Sequence, residues 1–381
     1  TCALPIFLPP FQSVVDAGAS SAMASFSSWN GEKMHGQGYW LTDVLKGELG
    51  FDGFIVSDYG GIDQVAADYY TSVVTSINAG VDMNMVPCDY QTFIDTVKKA
   101  VENGDIPMDR IDDAVRRILR VKFKMGVFDH PYADESLLST IGSKEHRMLA
   151  REAVSKSIVL LKNENDALPI TKDTPTIFVA GVAADDIGIQ CGGWTITWQG
   201  ETGDIQPGTT ILEGIKSAVS AETQVIYSEP AVFEGIADYG IAVVGEVPYA
   251  EGYGDKEDLS LSGYDVEIIE QLREHSRKLI VVILSGRPMI ITGQYEDADA
   301  WVAAWLPGTE GDGVSDVLFG DRPFTGQLPY TWPRFNGQLP VNLNNSSTLK
   351  GCDAPLFPYG FGLGEAGSKP IRFLGCQEFE D

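Results

Sequence analysis

The chain has 381 residues, of which 44% are hydrophobic, and a formal net charge of −27 at pH 7. This length predicts about two domains, with enough apolar residues for a sizeable core. The acidity argues against binding to nucleic acid, which requires a basic surface, and to an anionic membrane. No apolar stretch is long enough to cross a bilayer.

The N-terminal segment, residues 1–10, is apolar but interrupted by prolines. It has neither a basic region nor an initiator Met, so we expect the interior of a longer chain rather than a signal peptide. The five cysteines and four histidines are scattered along the chain without metal-ligand spacing. We therefore expect no metal site, and one cysteine must stay unpaired within the chain.

The first third of the chain alternates between strand and helix patterns. Strands are predicted at 21–26, 53–58 and 81–86. Apolar residues at helical spacing predict helices, at 41–49, 73–79, 90–102 and 108–124. Gly80 is expected to end the second of these helices. The pattern makes about three βα units, whereas a closed (β/α)₈ barrel has eight.

Turn residues at 128–143 break the helical periodicity and predict a linker. A helical pattern then runs over 144–161 and leads into an apolar run. Apolar strands are expected further on, at 176–180, 241–245, 279–285 and 300–305. With helical stretches between them, such as 264–273, these strands predict an α/β sandwich with a mainly parallel sheet over 144–364. Residues 365–381 are expected to form a tail.

One predicted strand ends in an acid. Phe54, Ile55 and Val56 form an unbroken apolar run, typical of a strand buried on both faces. Asp58 follows at the carboxyl end, where barrel enzymes carry their catalytic groups. The residue types alone leave a second interpretation open, in which Asp58 caps the start of a helix.

A series of short motifs follows in a specific order. They are SSWNG at 27–31, GFIVSDY at 53–59, AGVDM at 79–83, QCGGWTITWQG at 190–200, GEVPYAE at 245–251, SGRP at 285–288, AWLPG at 304–308, FTGQLP at 324–329 and LFPYGFG at 356–362. No single motif is decisive, but the ordered set resembles glycoside hydrolase family 3 over nearly the whole chain. Within that family it is most similar to the β-glucan exohydrolase and β-glucosidase branch.

The resemblance implies a partial (β/α)₈ barrel at 1–127 and the complete α/β sandwich after it. It also implies a retaining mechanism, in which Asp58 is the nucleophile and Glu251, on the loop 248–255, is the acid/base. Two carboxyls are sufficient for such a reaction, so no cofactor is expected. Glu246 and Asp255 are the alternatives to Glu251. The implied substrates are β-linked glucan oligosaccharides or β-glucosides.

Aromatic residues near these acids are candidate substrate contacts. Trp194 and Trp198 flank a polar turn, and aromatic faces stack on the C–H faces of sugars, so we predict that both, with Tyr59, line the sugar site. The alternative places both tryptophans in the core. The family usually has Tyr where this chain has Phe26, so a hydroxyl near Asp58 is lost and Asp58 is expected to be less well oriented.

Further alternatives remain open at this stage. The residues with which the family binds the nonreducing sugar belong to earlier barrel strands, which this chain lacks, so an inactive or sugar-binding fragment is one alternative. The same reaction on β-xylosides is another. Family habit implies a secreted or periplasmic location, and the oligomeric state is left open.

Overall fold

The computed structural model describes residues 4–341 and 351–364, with side chains from residue 8 onward. The predicted tail, 365–381, lies outside the described residues. The chain divides into two compact units, Thr1–Ser136 and Leu137–Asp381. The division falls inside the segment 128–143, which contains a 3₁₀-helix at Glu135–Thr140.

The first unit contains short strands and longer helices. The strands are β1 (Ser21–Met23), β2 (Ser28–Trp29), β3 (Glu32–Lys33) and β4 (Phe54–Val56). The α-helices are α1 (Leu4–Asp16), α2 (Tyr69–Ala79), α3 (Tyr90–Asn103) and α4 (Met108–Lys124). The pattern predicted at 41–49 forms a π-helix, Tyr39–Glu48. The structure thus confirms the predicted helices at 73–79, 90–102 and 108–124.

Parallel pairing organises the first unit. β1 pairs in parallel with β4, with Ala22 opposite Ile55. Both strands are shorter than the predicted runs 21–26 and 53–58. Helix α2 begins at the Asp68 carboxylate, which accepts the Thr71 N–H at 2.9 Å, and ends at Gly80, whose φ of +120° favours glycine.

The predicted strand at 81–86 is wrong. Only an isolated parallel bridge joins Met83 to Val56 within the described residues. The N–H groups of Asp82 and Met83 both donate to the Ile55 carbonyl, and the Met85 N–H donates to Ser57 Oγ at 2.7 Å. Because these donors go to one carbonyl and one side chain, no regular ladder can form.

The second unit is built around one sheet. Its strands are β5 (Val159–Asn163), β6 (Thr176–Ala180), β7 (Gln224–Tyr227), β8 (Ala237–Gly245), β9 (Ser276–Leu284) and β10 (Ala300–Trp305). Its α-helices are α5 (Lys144–Ser157), α6 (Ile187–Cys191), α7 (Ile211–Ala218), α8 (Gly263–Glu274) and α9 (Gly311–Leu318). In the described part of this unit, the six-stranded sheet has the order β5-β10-β9-β8-β6-β7.

Alternate side chains of the sheet enter two separate cores. Val243 and Val282 pack on the face covered by α7 and α9, whereas Val244 and Val281 pack on the opposite face, with α8. Every pairing is parallel except that of β5 with β10. The mainly parallel sheet was therefore predicted correctly, but both edge strands were missed. No strand was predicted at β7, and the helical pattern predicted over 144–161 ends at Ser157, before β5.

In the part of the chain that the structure describes, no helix is both long enough and apolar enough to cross a membrane. Cys88 and Cys191 are free thiols, and Cys352 is disulfide-bonded.

Candidate active site

Asp58 follows β4 in the first unit, and its backbone is fixed on both sides. Its N–H donates to His35 Nε2 at 3.0 Å. Its carbonyl accepts from Ser57 Oγ at 2.8 Å and from the Gly61 N–H at 3.1 Å. Its Oδ1 accepts the Tyr59 N–H at 2.7 Å. Within its own unit, the described residues offer Oδ2 no hydrogen-bond donor, so this oxygen is available for chemistry.

The interpretation of Asp58 as a helix cap is wrong. The 3₁₀-helix that follows, Gly61–Gln64, has Gly60 at its N-cap and no side-chain cap. The next α-helix is capped by Asp68 instead. The Asp58 carboxylate thus serves no helix end, which removes the structural alternative that the sequence left open.

Two predicted site residues lie beside Asp58 in this unit. Tyr59 is 66% exposed, and its ring is free to contact a ligand. Phe26 meets the His35 ring edge-on, with centroids 6.2 Å apart. The Lys33 ammonium lies 5.5 Å from the centroid of the Phe26 ring. Phe26 therefore contacts a side chain that itself contacts Asp58, while supplying no hydroxyl.

In the second unit, the two predicted tryptophans and Glu251 come together. Trp194 donates its indole N–H to Glu251 Oε2 at 3.1 Å. The Trp194 and Trp198 rings lie 6.5 Å apart, and Tyr253 meets Trp198 edge-on. Trp194 is 71% exposed and Trp198 is 47% exposed. The alternative that placed both tryptophans in the core is therefore wrong.

The loop that carries Glu251 packs closely against the segment that carries Trp194 and Trp198, here called the tryptophan loop. The Ala250 N–H donates to Gln199 Oε1 at 2.9 Å. A Cβ atom on Gly193 would lie 2.1 Å from the Tyr249 carbonyl oxygen, so that position accepts only glycine without a backbone shift. Gly193 is thus required by the close packing of two backbones, whereas a Cβ atom on Gly192 would lie 2.7 Å from the Leu306 side chain.

The pKa of Glu251 is below its ordinary value. Its own backbone N–H is the main cause, and the Trp194 and Trp198 indoles add to it. Hydrogen bonds of this kind stabilise the carboxylate.

Glu246, one alternative to Glu251, is held by an ion pair. Its side chain is 3% exposed and binds Arg287 Nη2 at 2.8 Å and Lys256 Nζ at 3.1 Å. Arg287 also donates to the Gly254 carbonyl at 2.7 Å and stacks on Tyr249 at 4.2 Å. Glu246 therefore anchors the loop rather than facing a ligand.

Sequence reasoning missed two supporting residues. His35 contacts Asp58, and Arg287 fixes the Glu251 loop. The SGRP motif contained a signal for Arg287, whereas a lone His gave none. Within residues 4–341 and 351–364, no cluster of three or more His, Cys, Asp or Glu side chains is arranged to hold a metal ion.

Family models cover both units. The model for the glycosyl hydrolase family 3 N-terminal domain matches residues 5–121, and that for its C-terminal domain matches residues 158–365. The chain belongs to glycosyl hydrolase family 3. This confirms the resemblance inferred from the ordered motifs.

Individual relatives extend the comparison. The chain is 32% identical to a lysosomal beta glucosidase of Dictyostelium discoideum, over 94% of this chain and 47% of that protein. It is 30% identical to a periplasmic beta-glucosidase of Salmonella typhimurium, over 94% of this chain and 54% of that protein. It is 31% identical to a beta-xylosidase of Formosa agariphila, over 94% of this chain and 55% of that protein.

The structure is similar to that of an exo-1,3/1,4-beta-glucanase (ExoP) from a Pseudoalteromonas species. The TM-score is 0.87 at 40% identity, over 95% of this chain and 47% of that chain. This family 3 chain spans about half the length of the curated relatives it matches.

Proposed function

We propose that this family 3 chain supplies the two catalytic carboxyls of a retaining, exo-acting β-glucosidase or β-glucan glucohydrolase. Asp58 is the nucleophile and Glu251 the acid/base. The observation that carries the proposal is Glu251 itself, an exposed carboxylate bonded to Trp194 and flanked by Trp198. An acid beside two exposed aromatic faces suits a site for a sugar.

The proposed reaction has two steps. In the first, Asp58 Oδ2 attacks the anomeric carbon while protonated Glu251 gives its proton to the leaving oxygen, forming a glycosyl-enzyme. In the second, the Glu251 carboxylate takes a proton from water, which displaces Asp58 and releases the sugar.

The proposed substrates are β-linked glucan oligosaccharides or β-glucosides. Trp194, Trp198 and Tyr59 would stack on the sugar rings, in agreement with their exposure. The β-xylosidase among the relatives supports β-xylosides as the second candidate. A secreted or periplasmic location is part of the proposal, and the periplasmic relative supports it.

We also propose that the first unit, as residues 1–127, is the C-terminal part of a (β/α)₈ barrel. Parallel pairing of β1 with β4 and the parallel bridge to Met83 support three consecutive barrel positions. The proposed linker is 128–143 and the proposed sandwich domain 144–364.

Glucose release from an aryl β-glucoside tests the proposal. We expect Asp58→Ala to abolish it, and Glu251→Gln to abolish it for poor leaving groups while sparing formation of the glycosyl-enzyme from dinitrophenyl glucoside. NMR of the first product anomer should show retention. Sugar binding without turnover would support the sugar-binding alternative, and a higher kcat/KM on the xyloside would support the second substrate.

A further inference from the structure

His35 is a fully buried histidine in direct contact with the proposed nucleophile. It lies in the 3₁₀-helix Met34–Gly36, and its side chain is 0% exposed. Its Nε2 lies 3.0 Å from the backbone nitrogen of Asp58, 23 residues further along the chain. The family motifs and the proposed mechanism give this residue no role.

The direction of this hydrogen bond defines the protonation state and the tautomer of the His35 imidazole. A backbone N–H can only donate, so Nε2 must accept and carries no proton. The remaining proton of the neutral ring then lies on Nδ1. Among the described residues, Nδ1 has no hydrogen-bond partner although it is buried. Nearly all buried polar atoms are paired, so an exception calls for a reason.

Packing fixes the ring in this position. A Cβ atom on Gly61 would lie 2.4 Å from His35 Cε1, so only glycine lets the turn 58–61 close over the imidazole. Gly60, with φ +64°, completes the turn. Phe26 meets the ring from another side. The imidazole is thus enclosed, with its one acceptor directed at the Asp58 N–H.

The charged groups around the ring are Asp58 and Lys33. Burial is the main cause that lowers the pKa of His35; Asp58 raises it and Lys33 lowers it, and the net direction is downward. The neutral form that the hydrogen bond requires is therefore also the form that the surroundings favour.

We propose that neutral His35 is a positioning residue for Asp58, which holds the backbone N–H so that Oδ2 keeps the direction needed for attack. This inference rests on the proposed role of Asp58 as nucleophile. Misplacement of a reacting group by about 1 Å can cost on the order of 100-fold in rate. Loss of the acceptor should therefore slow the first chemical step more than it weakens substrate binding.

Two variants distinguish the effect of the hydrogen bond on the reaction from the effect of the packing around the ring. His35→Phe keeps a ring but removes the acceptor, whereas His35→Gln places an amide oxygen near the position of Nε2. The probe is 2,4-dinitrophenyl 2-deoxy-2-fluoro-β-glucoside. Asp58 forms a bond to its anomeric carbon, dinitrophenolate leaves, and mass spectrometry of the labelled peptide gives the rate.

We expect His35→Phe to label on the order of 100-fold more slowly at saturating probe, and His35→Gln to recover most of that loss. Equal labelling rates for His35→Phe and the unchanged chain would overturn the proposal. Asp58→Ala separates the two claims: if it is still labelled, the proposed function fails, whatever the His35 variants do.

Two further measurements need no turnover. Nitrogen-15 NMR of the imidazoles, with the His35 signal assigned by its absence in His35→Gln, should show the neutral Nδ1–H tautomer. Hydrogen exchange should show an Asp58 amide that is protected in the unchanged chain and in His35→Gln, but exposed in His35→Phe. An Nε2–H tautomer, or equal protection in all three, would overturn the proposal even if a variant folds poorly.

Discussion

Trp194 donates its indole N–H to the Glu251 carboxylate, so an aromatic residue predicted as a sugar platform also binds the predicted acid/base. The indole is 71% exposed, and its face remains open to a ligand. Under the proposed function, one side chain would therefore stack on a sugar and also orient the proposed acid/base. The proposal thus links substrate binding to the protonation of Glu251.

Replacing Trp194 with Phe should shift the pH profile. The pKa of Glu251 is lowered first by its own backbone N–H and then by the Trp194 and Trp198 indoles. Removing one donor to the carboxylate raises the pKa of Glu251. Because the general acid works only when protonated, the basic limb of kcat/KM should move to higher pH. Glu251→Gln is the control, since it should remove that limb; an unmoved limb in Trp194→Phe would contradict the prediction.

Arg287 should be essential for the stability of the second unit. It pairs with the Glu246 carboxylate, which is 3% exposed. Arg287→Met leaves that buried charge with Lys256 as its remaining ion-pair partner, so we expect a loss of about 3 kcal/mol in the free energy of unfolding. The double variant Glu246→Gln, Arg287→Met should lose less, because no buried charge is left unpaired. Urea denaturation of Arg287→Met, Glu246→Gln and the double variant measures both effects, and additive losses would be the contrary result.

The same pair predicts an acid-dependent loss of stability. Burial raises the pKa of Glu246. Hydrogen bonds from Arg287 and Lys256 lower it by more in total, so the net pKa is below the ordinary value. A carboxylate with a lowered folded pKa stabilises the fold above its unfolded pKa, and that contribution is lost as the pH falls through the folded pKa. Below about pH 4, the unchanged chain should therefore lose more stability than Glu246→Gln. Parallel losses with pH in both proteins would refute this assignment.

The sequence predicted local patterns well and distant contacts poorly. Helices α3 and α4 followed from apolar spacing, and the Trp194, Trp198 and Glu251 motifs named residues that lie together. The segment 81–86 was predicted as a strand, yet its N–H groups donate to the Ile55 carbonyl and to Ser57 Oγ. That choice of partner depends on a neighbouring segment and has no signature in the run itself.

The supporting residues escaped prediction for the same reason. His35 matters because its ring meets a backbone N–H 23 positions away, and Arg287 because its guanidinium meets a carboxylate 41 positions away. A lone histidine has the same sequence appearance whether or not it supports a site, and the SGRP motif marks Arg287 without indicating which carboxylate it binds. Motifs name the residues that perform chemistry, whereas packing determines which residues hold them.

Asp82 should be a major source of stability in the first unit. Its side chain is 0% exposed, pairs with Lys46 and Arg110, and accepts the Ile55 N–H of β4 at 2.8 Å. Asp82→Ala leaves both cations and a strand N–H without this acceptor, so we expect a loss of about 3–5 kcal/mol. Asp52 pairs with Arg120 but is 63% exposed, so the matched Asp52→Ala should cost less than about 1 kcal/mol. Similar losses of both variants in urea denaturation would show that burial does not determine how much these ion pairs contribute to the free energy of unfolding.

The close packing of the tryptophan loop against the loop 248–255 is tested by adding a single methyl group. Gly193→Ala places Cβ 2.1 Å from the Tyr249 carbonyl oxygen, so one of the two backbones must move. Because Tyr249 is two residues before Glu251, this movement should displace the carboxyl and reduce kcat/KM on the order of 100-fold. Hydrogen exchange over 248–255 should increase in parallel. Gly263→Ala adds the same methyl group at the start of α8, where no atom lies within 4 Å, and should leave both readouts unchanged. If Gly193→Ala behaves like Gly263→Ala, the tryptophan loop does not set the position of Glu251.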